Sequence, residues 1–165
     1  MLLIFGGLPA VGKTAIATEL ARGIGAVHLR IDSIEQALRN SGVEISGPEG
    51  YVVAYAVAED NLRLGHTVIA DSVNPVEITR AAWRNVAARA SIRCIQVEVV
   101  CSDRAEHRRR VESRKSDIDG HRLPTWREVY DREYEPWEAD VVIDTARQSV
   151  EVGVAALRER LEGHE

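Results

Sequence analysis

Cysteine is scarce: the 165 residues hold only Cys94 and Cys101, too few for a disulfide scaffold, and no four-ligand Cys/His cluster at zinc spacing accompanies them. Seven residues of extended chain would separate the two by more than about 20 Å, which excludes a bond between them. No apolar run approaches the roughly 20 residues of a membrane span. The Met1 to Phe5 stretch meets glycines at once and lacks a basic lead-in, so neither an anchor nor an export leader is expected. Basic residues are outnumbered, 21 Lys and Arg against 26 Asp and Glu for a net charge of −5. That balance excludes a nucleic-acid coat over the whole surface and leaves only a local basic groove open. Neither an internal repeat nor a low-complexity linker is visible. A reduced, cytoplasmic setting fits these absences.

What is present is ordinary globular composition, 45% hydrophobic and 28% charged, at a length that fits about one domain. We expect a single domain over residues 1–165 with an irregular excursion, a small lid, at 115–136. Leu2 to Phe5 reads as a strand, Gly6-Gly7 as the start of a loop, and Lys13 to Arg22 as a helix. Ala26 to Ile31 is a second strand, after which Asp32-Ser33 sits where the N-cap of a helix to Arg39 belongs. A long helix over 48–64 ends at Gly65, and Thr67 to Ala70 is a buried strand closing on Asp71-Ser72. Residues 76–90 suit a helix, and Ile92 to Val100 a strand with an apolar face at Ile95, Val97 and Val99. Ser102 or Asp103 caps a charged helix to about Arg114, and Asp119-Gly120 and Pro124 then interrupt regular structure. Val141 to Ile143 and Ser149 to Leu161 form the last strand and helix. Five strands separated by helices imply an α/β fold with a parallel sheet covered on both faces, because parallel neighbours need crossover connections.

Gly7-Leu8-Pro9-Ala10-Val11-Gly12-Lys13-Thr14 matches the phosphate-binding pattern G-x-x-x-x-G-K-T at every fixed position, between the first strand and the first helix. With glycine at about 7% of residues, such a match arises by accident in only on the order of one chain in a hundred. Glycines let the backbone curl so that amides point inward, and the helix N-terminus adds about half a positive charge. Gly7 through Ala15 are therefore the candidate nucleotide-binding residues. Lys13, one of two lysines in the chain, can bridge the outer phosphates, and the Thr14 hydroxyl can ligate Mg²⁺.

The loop alone leaves kinase, GTPase and ATPase open. Arg114-Lys115-Ser116-Asp117 approximates a guanine motif and Asp117-Ile118-Asp119-Gly120 a switch motif, but neither follows a predicted strand, which argues against a GTPase. Asp32 and Asp71 stand at the C-terminal ends of strands, where open parallel sheets bind ligands. Asp32 suits the acceptor hydroxyl and Asp71 the Mg²⁺ ion; the plainer alternatives are a helix cap and a turn. Between Arg104 and Arg122 seven basic residues face four acidic ones. Arg104 with Arg108 and Arg110 with Arg114 are two pairs at helical spacing, and their faces cannot both look at one ligand. The segment is either a solvated face or a cover that brings guanidinium groups to a transferring phosphate. Trp126, Tyr134 and Trp137, beside prolines, either pin an irregular loop or wall an acceptor pocket.

On these residues the chain resembles the small P-loop kinases: gluconate and shikimate kinases, chloramphenicol phosphotransferase, the polynucleotide 5′-kinase domain and the zeta-toxin group. Ile31-Asp32-Ser33-Ile34-Glu35-Gln36-Ala37-Leu38 is similar to the phosphotransferase element whose aspartate meets the acceptor hydroxyl, which implies that role for Asp32. Arg110-Val111-Glu112-Ser113-Arg114 looks like the lid-entry element whose arginines meet the base and the phosphates, which implies Arg110 and Arg114. A polynucleotide kinase would carry arginine where this chain has Glu35. The resemblance also implies a three-layer P-loop NTPase fold with strand order 2-3-1-4-5, and ATP and Mg²⁺ as cofactors. The expectation is thus an ATP-dependent kinase with Lys13, Asp32 and Arg114 as catalytic residues, Thr14 and Asp71 at the metal, and a small hydroxylated substrate. The alternatives are a nucleotide-binding ATPase or regulatory module without an acceptor, and a polynucleotide 5′-kinase.

Overall fold

The computed structural model describes residues 1–163; the last two residues of the expected 1–165 domain, His164 and Glu165, lie outside the described residues. Five strands, β1 (Leu2–Gly6), β2 (Val27–Arg30), β3 (Val68–Asp71), β4 (Cys94–Val100) and β5 (Val141–Asp144), form one sheet in the order β2-β3-β1-β4-β5. Every pairing is parallel. The helices are α1 (Lys13–Ile24), α2 (Ile31–Asn40), α3 (Glu49–Arg63), α4 (Glu77–Arg89), α5 (Arg104–Ser113), α6 (Trp126–Tyr130) and α7 (Val150–Glu162). This is the P-loop NTPase topology expected from the sequence. Among the described residues no helix is long and apolar enough to cross a membrane.

The central strand shows why both faces are covered. All five residues of β1 are buried, and successive side chains of a strand point to opposite faces. Leu3 and Phe5 join Ile69, Val97 and Val99 under α1 and α7, whose Ile16, Leu20, Val154 and Leu157 complete that layer. Leu2 and Ile4 join Val68 and Ala70 under α3 and α4, against Ala54, Ala58, Leu62, Trp83 and Val86. Small alanines on α3 let it approach the sheet, and Tyr55 meets the edge of Trp83 with ring centroids 4.6 Å apart.

Two local readings are corrected. Asp32 is not the N-cap of α2: Arg30 holds that position and Asp32 lies inside the first turn, so the capping explanation of Asp32 falls away. The excursion at 115–136 is not wholly irregular, because α6 forms within it. Its start is a capping box in which the Thr125 hydroxyl accepts from the Glu128 amide and Glu128 accepts from the Thr125 amide. The T-x-x-E spacing that builds it stands in the sequence as Thr125-Trp126-Arg127-Glu128.

The aromatics of this segment pack rather than line the cleft described below. Trp126 meets His107 edge-on, with centroids 5.3 Å apart. Tyr134 and Trp137 stack on the Arg80 guanidinium at 5.3 and 4.8 Å. Arg80 is 1% exposed, and it donates to the carbonyls of Asn74, Pro75, Glu135 and Pro136 at 2.8 to 3.2 Å. A single buried fork therefore ties the 134–137 segment to the loop after β3. Replacing Arg80 by alanine strands the Asn74, Glu135 and Pro136 carbonyls at once, while the Pro75 carbonyl keeps the Glu135 amide; each buried unsatisfied group costs about 1–3 kcal/mol. We expect Arg80→Ala to lower stability by at least about 3 kcal/mol and Arg80→Lys, which lacks the planar fork, to recover only part. Urea unfolding midpoints of the two variants provide the check.

Candidate active site

The loop joining β1 to α1 has the backbone that its sequence requires. Gly7 has φ +140°, and a Cβ there would lie 2.2 Å from the Val99 carbonyl oxygen, so only glycine fits. Gly12 at φ +97° is the N-cap of α1, and Ala10 enters the left-handed region at φ 67°. No side chain caps α1 and no acid occupies its first turn, which leaves the positive end of the helix to the cleft.

Several side chains hold this loop from outside. The His107 ring donates from Nε2 to the Pro9 carbonyl at 2.8 Å, and the Thr145 hydroxyl donates to the Val11 carbonyl at 2.6 Å. The Gly7 amide donates to the Val73 carbonyl at 3.0 Å, and the Asn74 amide group to the Phe5 carbonyl at 2.7 Å. No motif marks His107, Asn74 or Thr145; their signal is position alone, since Asn74 and Thr145 follow the ends of β3 and β5. Of the candidate loop residues, Pro9, Ala10, Gly12, Lys13, Thr14 and Ala15 border the cleft, whereas Gly7, Leu8 and Val11 do not.

Beneath the loop lies a buried ion pair. Asp71 shares with Ile69 and Phe5 the sheet face that α1 covers, and its Oδ1 lies 3.2 Å from Lys13 Nζ with both side chains almost wholly buried. His28 of β2 approaches the other oxygen with Nε2 at 3.2 Å. Burial alone would raise the Asp71 carboxyl, but the Lys13 charge, the His28 contact and the Thr14 hydroxyl outweigh it and hold the group well below the usual carboxylate range.

A cleft of about 1140 Å³ opens above the C-terminal ends of the strands and is bordered by Lys13, Thr14, Asp32, Arg110 and Arg114. The structure thus brings the strand-two aspartate and the phosphate loop to one space. Among the described residues Asp32 has no ion-pair partner. Arg114 is half buried with its Nε unpartnered, and desolvation lowers its pKa despite the nearby Asp32. Arg110 is held by Glu106 at 2.8 Å and by the Thr145 hydroxyl and carbonyl at 2.8 and 3.1 Å. The two arginine pairs of α5 do part company: Arg104 stacks over Tyr130 at 4.3 Å and Arg108 pairs with Glu112 on the surface. The Asp117-to-Gly120 stretch follows no strand; Asp117 binds Arg30 through two hydrogen bonds of 2.6 and 2.9 Å. Arg39 is paired with Glu35 at 3.1 Å and does not replace the missing arginine of a polynucleotide kinase. Cys94 and Cys101 are free thiols.

The Asp71 carboxyl fixes a pH dependence. Above about pH 4, the ordinary aspartate range, the carboxyl is ionised in both folded and unfolded chains and the pair contributes fully. As pH falls lower, the unfolded chain takes up a proton that the folded one resists, and that stability is lost. Asp71→Asn is therefore expected to be destabilised most at neutral pH, with the gap from the unsubstituted protein closing below about pH 4. Unfolding midpoints measured across that range test it; a gap that stays constant would contradict the assignment.

No curated protein is significantly similar in sequence, but solved structures share the fold. Chaetomium thermophilum Kti12 in complex with ADP-AlF3 superimposes with a TM-score of 0.71 at 17% identity, covering 96% of this chain and 98% of that one. The Mycobacterium tuberculosis APS kinase in complex with AMPPNP and APS gives 0.65 at 21% identity, covering 98% and 96%. A gluconokinase from Sinorhizobium meliloti 1021 gives 0.63 at 15% identity, covering 99% and 96%. At these identities the likeness is one of fold alone. In sequence, residues 2–132, which run from β1 past the end of α6, match a known family, and on that match the chain belongs to the AAA domain family.

Proposed function

We propose that the chain is an ATP- and Mg²⁺-dependent phosphotransferase that moves the γ-phosphoryl group of ATP to a hydroxyl of a small molecule. One observation carries the reading: Lys13 and Thr14 of the phosphate loop border the same cleft as Asp32 and Arg114. In it residues 1–165 act as one domain, and residues 115–136 are its cover.

The residues fit a polyphosphate. The first turn of α1 is uncapped, and among the described residues the buried Arg114 Nε has no hydrogen-bond partner. Among the described residues no cluster of three or more His, Cys, Asp or Glu could hold a metal alone, which suits an ion carried mainly by phosphate oxygens and water. Thr14 would ligate that ion, and Asp71 would hold its waters. ATP supplies the phosphoryl group and Mg²⁺ offsets its charge.

The chain's own part is positioning and electrostatics. Loop amides and Lys13 hold the phosphate oxygens, and Arg114 faces the charge that develops on the transferred group. Asp32 accepts the hydrogen bond of the acceptor hydroxyl and takes up its proton as the new oxygen–phosphorus bond forms and the bond from the γ-phosphorus to its bridging oxygen breaks, releasing ADP. Arg110, tied to Thr145 and through it to the loop, flanks the nucleotide. Walls of loop and helix limit the entry of water, which would otherwise compete as acceptor.

Incubation with labelled ATP and pooled sugars, nucleosides, antibiotics and oligonucleotides should transfer label to a small hydroxylated member of the pool. Losing one preorganised donor typically costs about 2.7–4 kcal/mol, so Lys13→Ala should reduce turnover at least about a hundredfold. Asp32→Asn should abolish transfer while ATP affinity stays within about twofold, because its role lies on the acceptor side. The likeness to Kti12 favours a second reading, a nucleotide-hydrolysing module without an acceptor; it predicts no labelled product and no effect of Asp32→Asn on ATP hydrolysis.

A further inference from the structure

We infer that Arg30 anchors an oxyanion group, a carboxylate, sulfate or phosphate, carried by the acceptor itself. The inference rests on the kinase reading above and deepens it by naming the chemical class of the acceptor.

Arg30 ends β2, two residues before Asp32, and both border the cleft. Its side chain is about four-fifths buried, at 20% exposure. Among the described residues its buried Nε has no hydrogen-bond partner, while Nη1 and Nη2 hold both oxygens of Asp117. Arg114 presents a second buried Nε without a partner, and each guanidinium lies close enough to Asp32 and Asp117 to feel their charges. Two arginines that repel one another have thus been brought beside Asp32 and Asp117 at the cost of partly desolvating both. A buried unpartnered donor is expensive, and such sites in clefts call for an anion from outside.

The carboxylate now on Arg30 comes from the segment between α5 and α6, and Asp117 is 70% exposed. Asp117 reaches the fork from an exposed position through two hydrogen bonds, and a ligand oxyanion held by the same planar fork would replace it in kind. Arg114, Lys115 and Arg132 border the cleft with no carboxylate within ion-pair distance among the described residues. A neutral acceptor would leave Arg114, Lys115 and Arg132 without a carboxylate at ion-pair distance among the described residues. An anionic one lets Arg30 fix the distance between its charged group and the hydroxyl that Asp32 receives, which is how a site discriminates by more than size.

The test uses sulfate as the probe, titrated by calorimetry into protein saturated with AMPPNP so that the phosphate loop is already filled. We expect saturable uptake that weakens at least tenfold in Arg30→Ala, partly recovers in Arg30→Lys, and tightens severalfold in Asp117→Asn, where the competing carboxylate is gone. A merely structural Arg30–Asp117 strap would not give that tightening. No saturable uptake, unchanged affinity in Arg30→Ala, or weaker binding in Asp117→Asn overturns the inference. A second arm offers labelled ATP with matched pairs of acceptors: glycerate with glycerol, gluconate with glucose, and ribose 5-phosphate with ribose. Label confined to charged members supports the inference, and the pair that reacts separates carboxylate from phosphate. Equal labelling of neutral members contradicts it and leaves the kinase reading intact. Sulfate uptake at Arg30 without transfer to any acceptor supports the anion site and removes the kinase reading on which its occupant rests.

Discussion

A buried lysine and aspartate meet under the phosphate loop, and the site is arranged around that contact. Lys13 opens α1 and Asp71 closes β3, so their 3.2 Å approach fixes the first helix against the strand beside β1. Two buried charges are costly unless they meet, and here they meet at the floor of the cleft that Lys13 borders. The pairing holds Lys13 low in the cleft and keeps Asp71 ionised, with His28 on its second oxygen. A polyphosphate arriving at the loop competes with Asp71 for the same ammonium group. The loop can meet that competition without deforming because His107, Asn74 and Thr145 grip it from three other parts of the chain.

Around this contact the charges are distributed unevenly. A protein with a net charge of −5 directs Lys13, Arg30, Arg110, Arg114 and Lys115 to one cleft and pairs many of its other arginines with carboxylates on the surface, as Arg63 and Arg89 share Glu59. A cleft in which basic side chains outnumber acidic ones concentrates field and attracts anions. Arg80 serves a different end: wholly inside, it binds only carbonyls and aromatic faces. It sets where the chain re-enters the fold after the 115–136 segment, and hence where that segment can sit.

Much of this could be read from the residues in order. Alternating helix and strand patterns give the five parallel strands because each buried strand is a short β-branched or aliphatic run, as in Val68-Ile69-Ala70. The phosphate loop is legible because glycine is the only residue that fits at Gly7. Asp32 was legible by its place after the second strand, although its capping role was not the one realised. What escaped depends on contacts between distant segments. The hold of His107 on Pro9 spans 98 residues of sequence and that of Thr145 on Val11 spans 134, and neither leaves a local pattern. The short helix α6 was hidden in a segment dominated by glycine and proline signals, even though its capping box is a four-residue signature. No local pattern marks Arg80 as buried, because its partners Glu135 and Pro136 lie 55 and 56 residues away.

The account stands on the loop of residues 7–15 binding a polyphosphate directly above the Lys13–Asp71 pair. Calorimetric titration of AMPPNP with Mg²⁺ into the unsubstituted protein reads that claim without assuming any acceptor. The account predicts saturable uptake of one nucleotide per chain. Absence of any uptake under the same conditions would contradict it.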